Sequence, residues 1–450
     1  MNMVGRETSE SSACIKPPRS FLRGSPGRPS SWGFVVRLTL WGRVARLSLW
    51  GPVARLTLWG RAARLTLWGP VARLSLWGSL VEFVLRGAPS GLAGLTAAHR
   101  AAFALAVSVA FLSCTKDPSG PDELSNILPV AKGVYVLHEG NYGDASGARL
   151  ALYDLVLDTV YTDIVERANS GLHLGSTGDD MVLFRDKIYV LMSGSENLVV
   201  LSRSGHQVLQ SAYYPGSVPH AMVIDSVRRR IYVTRLYKNS IIALDLTTLA
   251  VVDSVTVGAN PQEMALVGDD LYVCNSGYGL ANTVSILSVS PLATRGTLRV
   301  GAGPTGIVRS DDGALWVSCT GNPYGTPSLP GGVYKIDPAT RTVQDSILFT
   351  EALWGSIAAG DGAVYVLGVT PGSYYGGPVH RIQTASKTLA QSVIAGTFYA
   401  IAADRASGDL YLADAKSFGA QGEVRSYTSA LTVKKVMQVQ RGPAVFAFAR

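Results

Sequence analysis

"HAMVIDSVRRRIYVTRLYKNSIIALDLTTLAVVDSVTVGANP", His220 to Pro261, holds four short apolar runs separated by turn-forming residues. "AMVI" reads as an inner strand, "SVRRR" as a tight turn and "RIYVTR" as a second strand. "IIALDL" and "VVDSVTV" read as a third and a fourth strand, and "VGANP" leads into the next apolar run, "EMALV". The segment that follows repeats the plan with "GDD", "LYVCN", "TVSILSV" and "TRGTLRVGAGP". Two consecutive units with one strand order predict a series of four-stranded antiparallel sheets.

The series extends over most of the chain. An aromatic residue flanked by aliphatic ones recurs at Tyr135, Tyr189, Tyr232, Tyr272, Trp316, Tyr365 and Tyr411, at spacings of 54, 43, 40, 44, 49 and 46 residues. A period in the forties with several strands per unit is the pattern of propeller blades. A single blade must bury both sheet faces against neighbours, so the array has to close. Inner strands are predicted near Met181, Met222, Met264, Ile307, Ile357 and Ile401, and a seventh, "VFAFAR" (Val445 to Arg450), has no partners after it. The first unit, "GVYVLHEGN" onward, lacks only an inner strand. The fold class expected is therefore all-β, a seven-bladed β-propeller. The C-terminal strand completes the N-terminal blade, and a non-globular prefix precedes the ring.

"IYVTRLYKNSIIALDLTTLAVVDSVTVGANP" resembles the YVTN-type propeller repeat, with Arg235 in place of the usual Asn and Asn275 keeping it in "LYVCN". The opening "GVYVLHEGNYG" after a cysteine-bearing tether is similar to Bacteroidota surface lipoproteins of the YncE-like group. The resemblance covers about residues 130–450. It implies a lipid-anchored envelope propeller in the outer membrane, on the cell-surface or periplasmic side. Some such proteins hand cobalamin to a TonB-dependent transporter.

The chain ahead of the repeats is of another kind. Residues 1–113 carry 14 Lys/Arg against 3 Asp/Glu, a net +11, while residues 114–450 carry 26 against 29, a net −3. All the basic excess thus lies outside the repeats, which gives a nucleic-acid partner no electrostatic support. Five near-copies of a nine-residue unit are marked by Trp41, Trp50, Trp59, Trp68 and Trp77, and each alternates Leu with polar residues as a strand does. Their near-identity reads as a duplicated tract ahead of the true start of translation, spanning residues 1–97. Residues 98–113 then read as a lipoprotein signal, with Arg100 ahead of an apolar run from Ala101 to Leu112 and Ser113 before the lipidated Cys114. That run is too short to span a bilayer, which needs ~20 residues. Residues 114–131 form a polar tether, and residues 132–450 the propeller.

Candidate binding residues cluster by loop. The connections between second and third strands, such as "HEGNYGDASG", "TRLYKNS", "NSGYGLANT", "TGNPYGTPSLPGG", "TPGSYYGGP" and "AKSFGAQG", carry Tyr142, Tyr237, Tyr278, Tyr324, Tyr374, Tyr375 and Phe418. Arg235 lies beside them, and the connections into inner strands add His173, Tyr214, His220, Trp354 and Tyr399 nearer the axis. Broad aromatic rings with polar tips suit recognition of a bulky small molecule or a protein. The short acidic turns on the opposite face, including Asp269–Asp270 and Asp311–Asp312, are explained by turn chemistry.

Catalysis finds little support. "HEGNY" lacks the second histidine of a zinc helix, and no G-x-S-x-G elbow occurs in a strand–turn–helix setting. Asp180, His220 and Glu263 at neighbouring inner-strand starts are candidates for a metal at the channel mouth, beside the alternative of a polar, water-filled channel. No cofactor is expected. Cys274 and Cys319 differ by one in their strand offsets, which favours two buried thiols over a disulfide. The leading functional reading is a monomeric, non-enzymatic propeller that captures a bulky ligand. A protein-interaction scaffold of the envelope and a metal-dependent, lactonase-like hydrolase are the alternatives.

Overall fold

The computed structural model describes residues 132–450, apart from Tyr142, Gly143, Ala145, Ser146 and Tyr374 and the side chain of Ser417, together with the backbone of eight short strands between residues 2 and 86. The chain divides into two units, Met1–Gly120 and Pro121–Arg450. In the first, repeats two apart pair in parallel: Arg37–Trp41 with Arg55–Trp59 and that with Leu74–Trp77, and Arg46–Trp50 with Leu65–Trp68. The signal, Cys114 and the tether lie outside the described residues.

The second unit is a seven-bladed β-propeller. Blades two to seven are consecutive four-stranded antiparallel meanders, beginning with Gly178–Phe184, Pro219–Asp225, Pro261–Val267, Pro304–Arg309, Leu353–Gly360 and Ala400–Ala403. Blade one is assembled from both ends. Gly133–His138, Arg149–Asp154 and Thr159–Tyr161 supply three strands, and the C-terminal strand Pro443–Ala449 supplies the innermost. Its register runs from Pro443 opposite His138 to Ala449 opposite Gly133. The seven inner strands pack side by side in a ring.

The recurring aromatic explains why the blades stack. Tyr135, Tyr189, Tyr232, Tyr272, Trp316, Tyr365 and Tyr411 are all buried in second strands. Each packs into the next blade's core. Tyr189 meets Met222, Ile231 and Val233, and Trp316 meets Val364 and Val366. The aliphatic neighbours Ile188 and Val190 point the other way, into the cluster shared with blade one. A strand whose side chains alternate thus serves both adjoining interfaces. The last aromatic closes the circle, since Tyr411 lies against Phe446 and Phe448 of the C-terminal strand, with ring centroids 6.2 and 5.3 Å away.

Cys274 and Cys319 are free and buried. Their offset does turn them to opposite faces of their own sheets, and that places both in the single interface between blades four and five.

Candidate functional site at the axial mouth

On the loop-rich face, the paired register of the inner strands is broken in six of the seven blades among the described residues. The break falls between Gly178 and Asp180, between Pro219 and Met222, between Pro261 and Met264, and between Leu353 and Ile357. It leaves Asp179, His220, Gln262, Glu263 and Trp354 out of the pairing. A bulge bends the strand and re-aims the unpaired side chain, and bulges concentrate beside functional sites. Here they deliver polar groups from consecutive blades to one place.

The groups interlock. His220 Nδ1 lies 3.1 Å from Asp179 Oδ1. The Asp180 carboxylate accepts the backbone N–H groups of Met181 and Met222, each at 2.7 Å, so it ties blade two to blade three. Glu139, at the end of blade one's second strand, accepts the Tyr399 hydroxyl at 2.7 Å. Its own N–H donates to the Gly442 carbonyl at 2.8 Å, beside the closing strand.

Their electrostatics follow from crowding. Burial, then repulsion from Asp179, pushes the Glu139 carboxyl up to about 7, against the Tyr399 hydrogen bond and the His220 charge. For His220, burial alone would lower the pKa, but the Asp179 hydrogen bond and the surrounding carboxylates raise it to about 9. Burial raises both Asp180 and Glu263, and Glu263 adds repulsion at Asp180. Asp180 accepts two N–H groups, which favour its charged form and offset part of that rise.

An aromatic wall adjoins this polar group. Trp354 Nε1 donates to the Tyr399 carbonyl at 2.8 Å, and the two rings are 5.5 Å apart. Phe418 stands edge-on to Tyr399 at 5.1 Å, and Tyr375 lies 5.3 Å from Phe418. Four of the residues expected from sequence, Trp354, Tyr375, Tyr399 and Phe418, are therefore one continuous surface, and His220 joins it through the polar group.

The remaining candidates part from it. Tyr237 and Tyr278 stand together on the loops of blades three and four, 65% and 64% exposed, and their hydroxyls interact. Tyr324, on blade five, is 92% exposed. The Arg235 guanidinium donates to Ser240 Oγ at 3.0 Å within its own blade. Tyr214 is a packing residue, buried with its hydroxyl on the Leu249 carbonyl at 2.8 Å. Tyr142 and Tyr374 lie outside the described residues.

The metal candidates need correction. Among the described residues no three His, Cys, Asp or Glu side chains converge as metal ligands. Asp180 is committed to backbone N–H groups and His220 to Asp179, so Asp180, His220 and Glu263 do not form a ligand set. The sequence reading missed Asp179 and the part played by Glu139. The doublet Asp179–Asp180 stands just ahead of Met181 as His220–Ala221 stands ahead of Met222 and Gln262–Glu263 ahead of Met264, and that alignment is the signal that could have found it.

A ring of seven sheets with a polar mouth and an aromatic rim defines the class as a β-propeller with a candidate ligand site on its axis. The chain belongs to the family described as Domain of unknown function (DUF5074), which matches residues 132–360. Its fold is similar to that of a quinonprotein alcohol dehydrogenase-like protein from Bacteroides thetaiotaomicron, with a TM-score of 0.56 at 14% identity, covering 72% of this chain and 80% of that one. A candidate 6-phosphogluconolactonase from Bacteroides fragilis gives a TM-score of 0.54 at 13% identity, covering 74% and 99%. A protein from Lactobacillus plantarum gives 0.54 at 15% identity, covering 70% and 99%. Likeness at these identities shows the fold alone. No curated protein matches the chain.

Proposed function

We propose that this protein is a non-catalytic binding propeller of the cell envelope, held to the outer membrane by lipid on Cys114, and that it captures a bulky ligand over its axial mouth. The observation that carries the reading is the continuity of the aromatic wall with the polar mouth, joined by the hydrogen bond from Tyr399 to Glu139. Small-molecule sites combine an apolar surface with a few convergent polar groups in this way. Cobalamin, for delivery to a TonB-dependent transporter, is the ligand that the resemblance to YncE-like surface lipoproteins implies, and its broad ring with peripheral amides suits an aromatic wall beside carboxyl acceptors. The membrane attachment rests on the signal ahead of Cys114, and no helix among the described residues is long and apolar enough to cross a membrane.

Calorimetric titration of the protein with cyanocobalamin tests the ligand. Saturable binding that weakens about tenfold or more in Phe418→Ala is expected, as for an aromatic anchor. Absence of binding overturns cobalamin as the ligand. Intact-mass measurement of the native protein tests the anchor, with an acylated chain beginning at Cys114 as the expected result.

A second reading has its own observation. Tyr237, Tyr278, Leu280 and Tyr324 are all at least 64% exposed and lie on the loops of three successive blades. Tyr278 is held at a φ of +54°, a strained setting that presents its ring outward. Such a patch fits an envelope protein partner, and Tyr278→Ala would weaken capture of that partner while leaving small-ligand binding intact.

A further inference from the structure

His380 is fully buried on the third strand of blade six, Gly377–Gln383. Opposite it the outer strand, Leu389–Phe398, bulges. Val379 pairs with Ile394 and Arg381 with Ala390, so Gln391, Ser392 and Val393 all stand against His380. Ser392 takes a φ of +49° there, and its N–H donates to His380 Nδ1 at 3.2 Å. A bulge leaves backbone groups out of the ladder, and here an imidazole satisfies one of them. An imidazole that accepts at Nδ1 carries its proton on Nε2. That Nε2–H has no hydrogen-bond partner among the described residues, and the half-exposed Glu351 carboxylate stands 3.7 Å away. Gly368 leaves the ring its room, since a Cβ there would lie 2.3 Å from Nε2. A second proton has only Nδ1 to go to, where it would face the Ser392 N–H, donor against donor.

Both segments that meet this ring run into the aromatic wall. The outer strand ends at Phe398, next to Tyr399, and Glu351 lies three residues before Trp354 in the connection to the inner strand Leu353–Gly360. The bond from Trp354 Nε1 to the Tyr399 carbonyl joins the two segments. The other charged groups on the elements around the ring are engaged elsewhere. Arg381 lies over the Tyr365 ring at 5.9 Å, Asp345 pairs with Lys387, and Lys335 with Asp312 at 2.8 Å. The second strand, Ala363–Gly368, and the outer strand carry no charge. Burial holds the imidazole below its ordinary value of 6.5, and the Glu351 carboxylate works against that. The Ser392 bond is therefore intact at neutral pH and is lost as the pH falls through the folded value.

We propose that His380 is an acid-operated catch beneath the aromatic wall. Neutral, it holds Ser392 and with it the strand that leads to Tyr399. Protonated, it gives up the Ser392 N–H, draws in the Glu351 carboxylate and loosens the Trp354–Tyr399 pair from both sides. A ligand seated on the wall is then held less tightly in acid, a consequence that rests on the wall being the binding surface.

The test is heteronuclear NMR of the full protein from pH 7.5 to pH 5.0. It follows the Ser392 amide and the Trp354 indole N–H, the latter identified by its loss in Trp354→Phe. Both signals are expected to move with one midpoint below 6.5. Ser392 amide exchange, corrected for its intrinsic pH dependence, should speed up at least about tenfold at the acid end. His380→Gln keeps an acceptor for the Ser392 N–H and does not titrate, so both signals should stay fixed. Glu351→Gln leaves the ring in place and removes its carboxylate, so the midpoint should fall by at least about 0.5 on the pH scale. That second variant decides the matter if His380→Gln fails to fold. A Ser392 amide that does not respond, the same transition in His380→Gln, an unchanged midpoint in Glu351→Gln, or a Trp354 signal that stays fixed while Ser392 moves overturns the proposal. Titration with cyanocobalamin at pH 7.5 and pH 5.5 reads the consequence, with affinity at least about threefold weaker in acid for the parent and equal for His380→Gln. Equal affinity of the parent at both pH values overturns acid release. Absence of binding at both sinks cobalamin as the ligand, and the two NMR signals still decide the catch.

Discussion

The Tyr399 hydroxyl meets Oε1 of Glu139 at 2.7 Å across 260 residues of sequence. Glu139 directly follows a strand of blade one, and Tyr399 leads into blade seven, so the contact crosses the seam where the ring closes. The candidate site and the closure of the fold share this point. Tyr399→Phe removes the donor from a crowded carboxyl and is expected to cost about 1–2 kcal/mol of stability. It should also drive Glu139 further toward its protonated form, because that hydrogen bond favours the charged one. Urea unfolding of parent and variant at pH 8 measures the cost.

Ending the chain after Gly442 deletes the strand that pairs with Gly133–His138 and carries Phe446 and Phe448 onto Tyr411. Blade one would expose an inner edge, and blade seven would lose the rings that cover Tyr411. A propeller opened this way has lost burial on two interfaces at once. We expect no cooperative thermal transition by circular dichroism, and rapid proteolysis. A truncated chain that melts as the parent does would contradict the closure.

Glu139 also makes stability depend on pH. Its folded pKa is raised to about 7, above the ordinary glutamate value, so its contribution is fully present below that ordinary value and is lost as the pH rises through 7. Glu139→Gln keeps an acceptor for Tyr399 and removes the charge. The variant should gain about 1–3 kcal/mol relative to the parent between pH 5 and pH 8. Unfolding free energies at the two pH values decide it.

Two buried histidines act in the opposite sense. Burial lowers His138 and His206 to about 4, and His206 Nε2 lies 3.0 Å from the Tyr135 hydroxyl. A group with a depressed pKa contributes stability that is intact above the unfolded value and lost as the pH falls through the folded one. His206→Gln should therefore flatten the decline in stability between pH 6.5 and pH 4 by about 1–3 kcal/mol relative to the parent, even if it is less stable at pH 7. An unchanged slope would mean that His206 does not resist protonation.

Gly442 couples the seam to the aromatic wall. Its φ is +66°, and a Cβ there would come within 2.6 Å of the Phe418 ring. Gly442→Ala should cost about 1 kcal/mol in backbone strain and displace Phe418 from Tyr399. A loss of ligand affinity larger than the loss of stability is expected, read by titration beside thermal melting.

The fold was largely legible because its rules are local and repeated. The aromatic at Tyr189 or Trp316 announces a second strand, its neighbours reveal the alternation, and the unmatched strands at the two ends announce the seam. The site was legible only in part. Trp354, Tyr375, Tyr399 and Phe418 showed themselves as aromatics on loops, but nothing in their spacing says that they touch. Asp179 and Glu139 were missed because their importance comes from bulged register and from ring closure, which place charges of distant segments side by side. Tyr324 was named for the same reasons as Tyr399 and yet is 92% exposed and no part of the aromatic wall, since loop composition does not specify the direction in which a loop projects.

The amino-acid order by itself determined the blade count, the strand order and the use of the last strand to complete the first blade, because alternation and turn chemistry act over a few residues at a time. Only the tertiary structure decided which side chains share the axial mouth and which rings join into a wall. Those relations depend on how seven sheets converge on one axis, where residues hundreds of positions apart come within hydrogen-bond reach and the free energy of each charge is set by its neighbours.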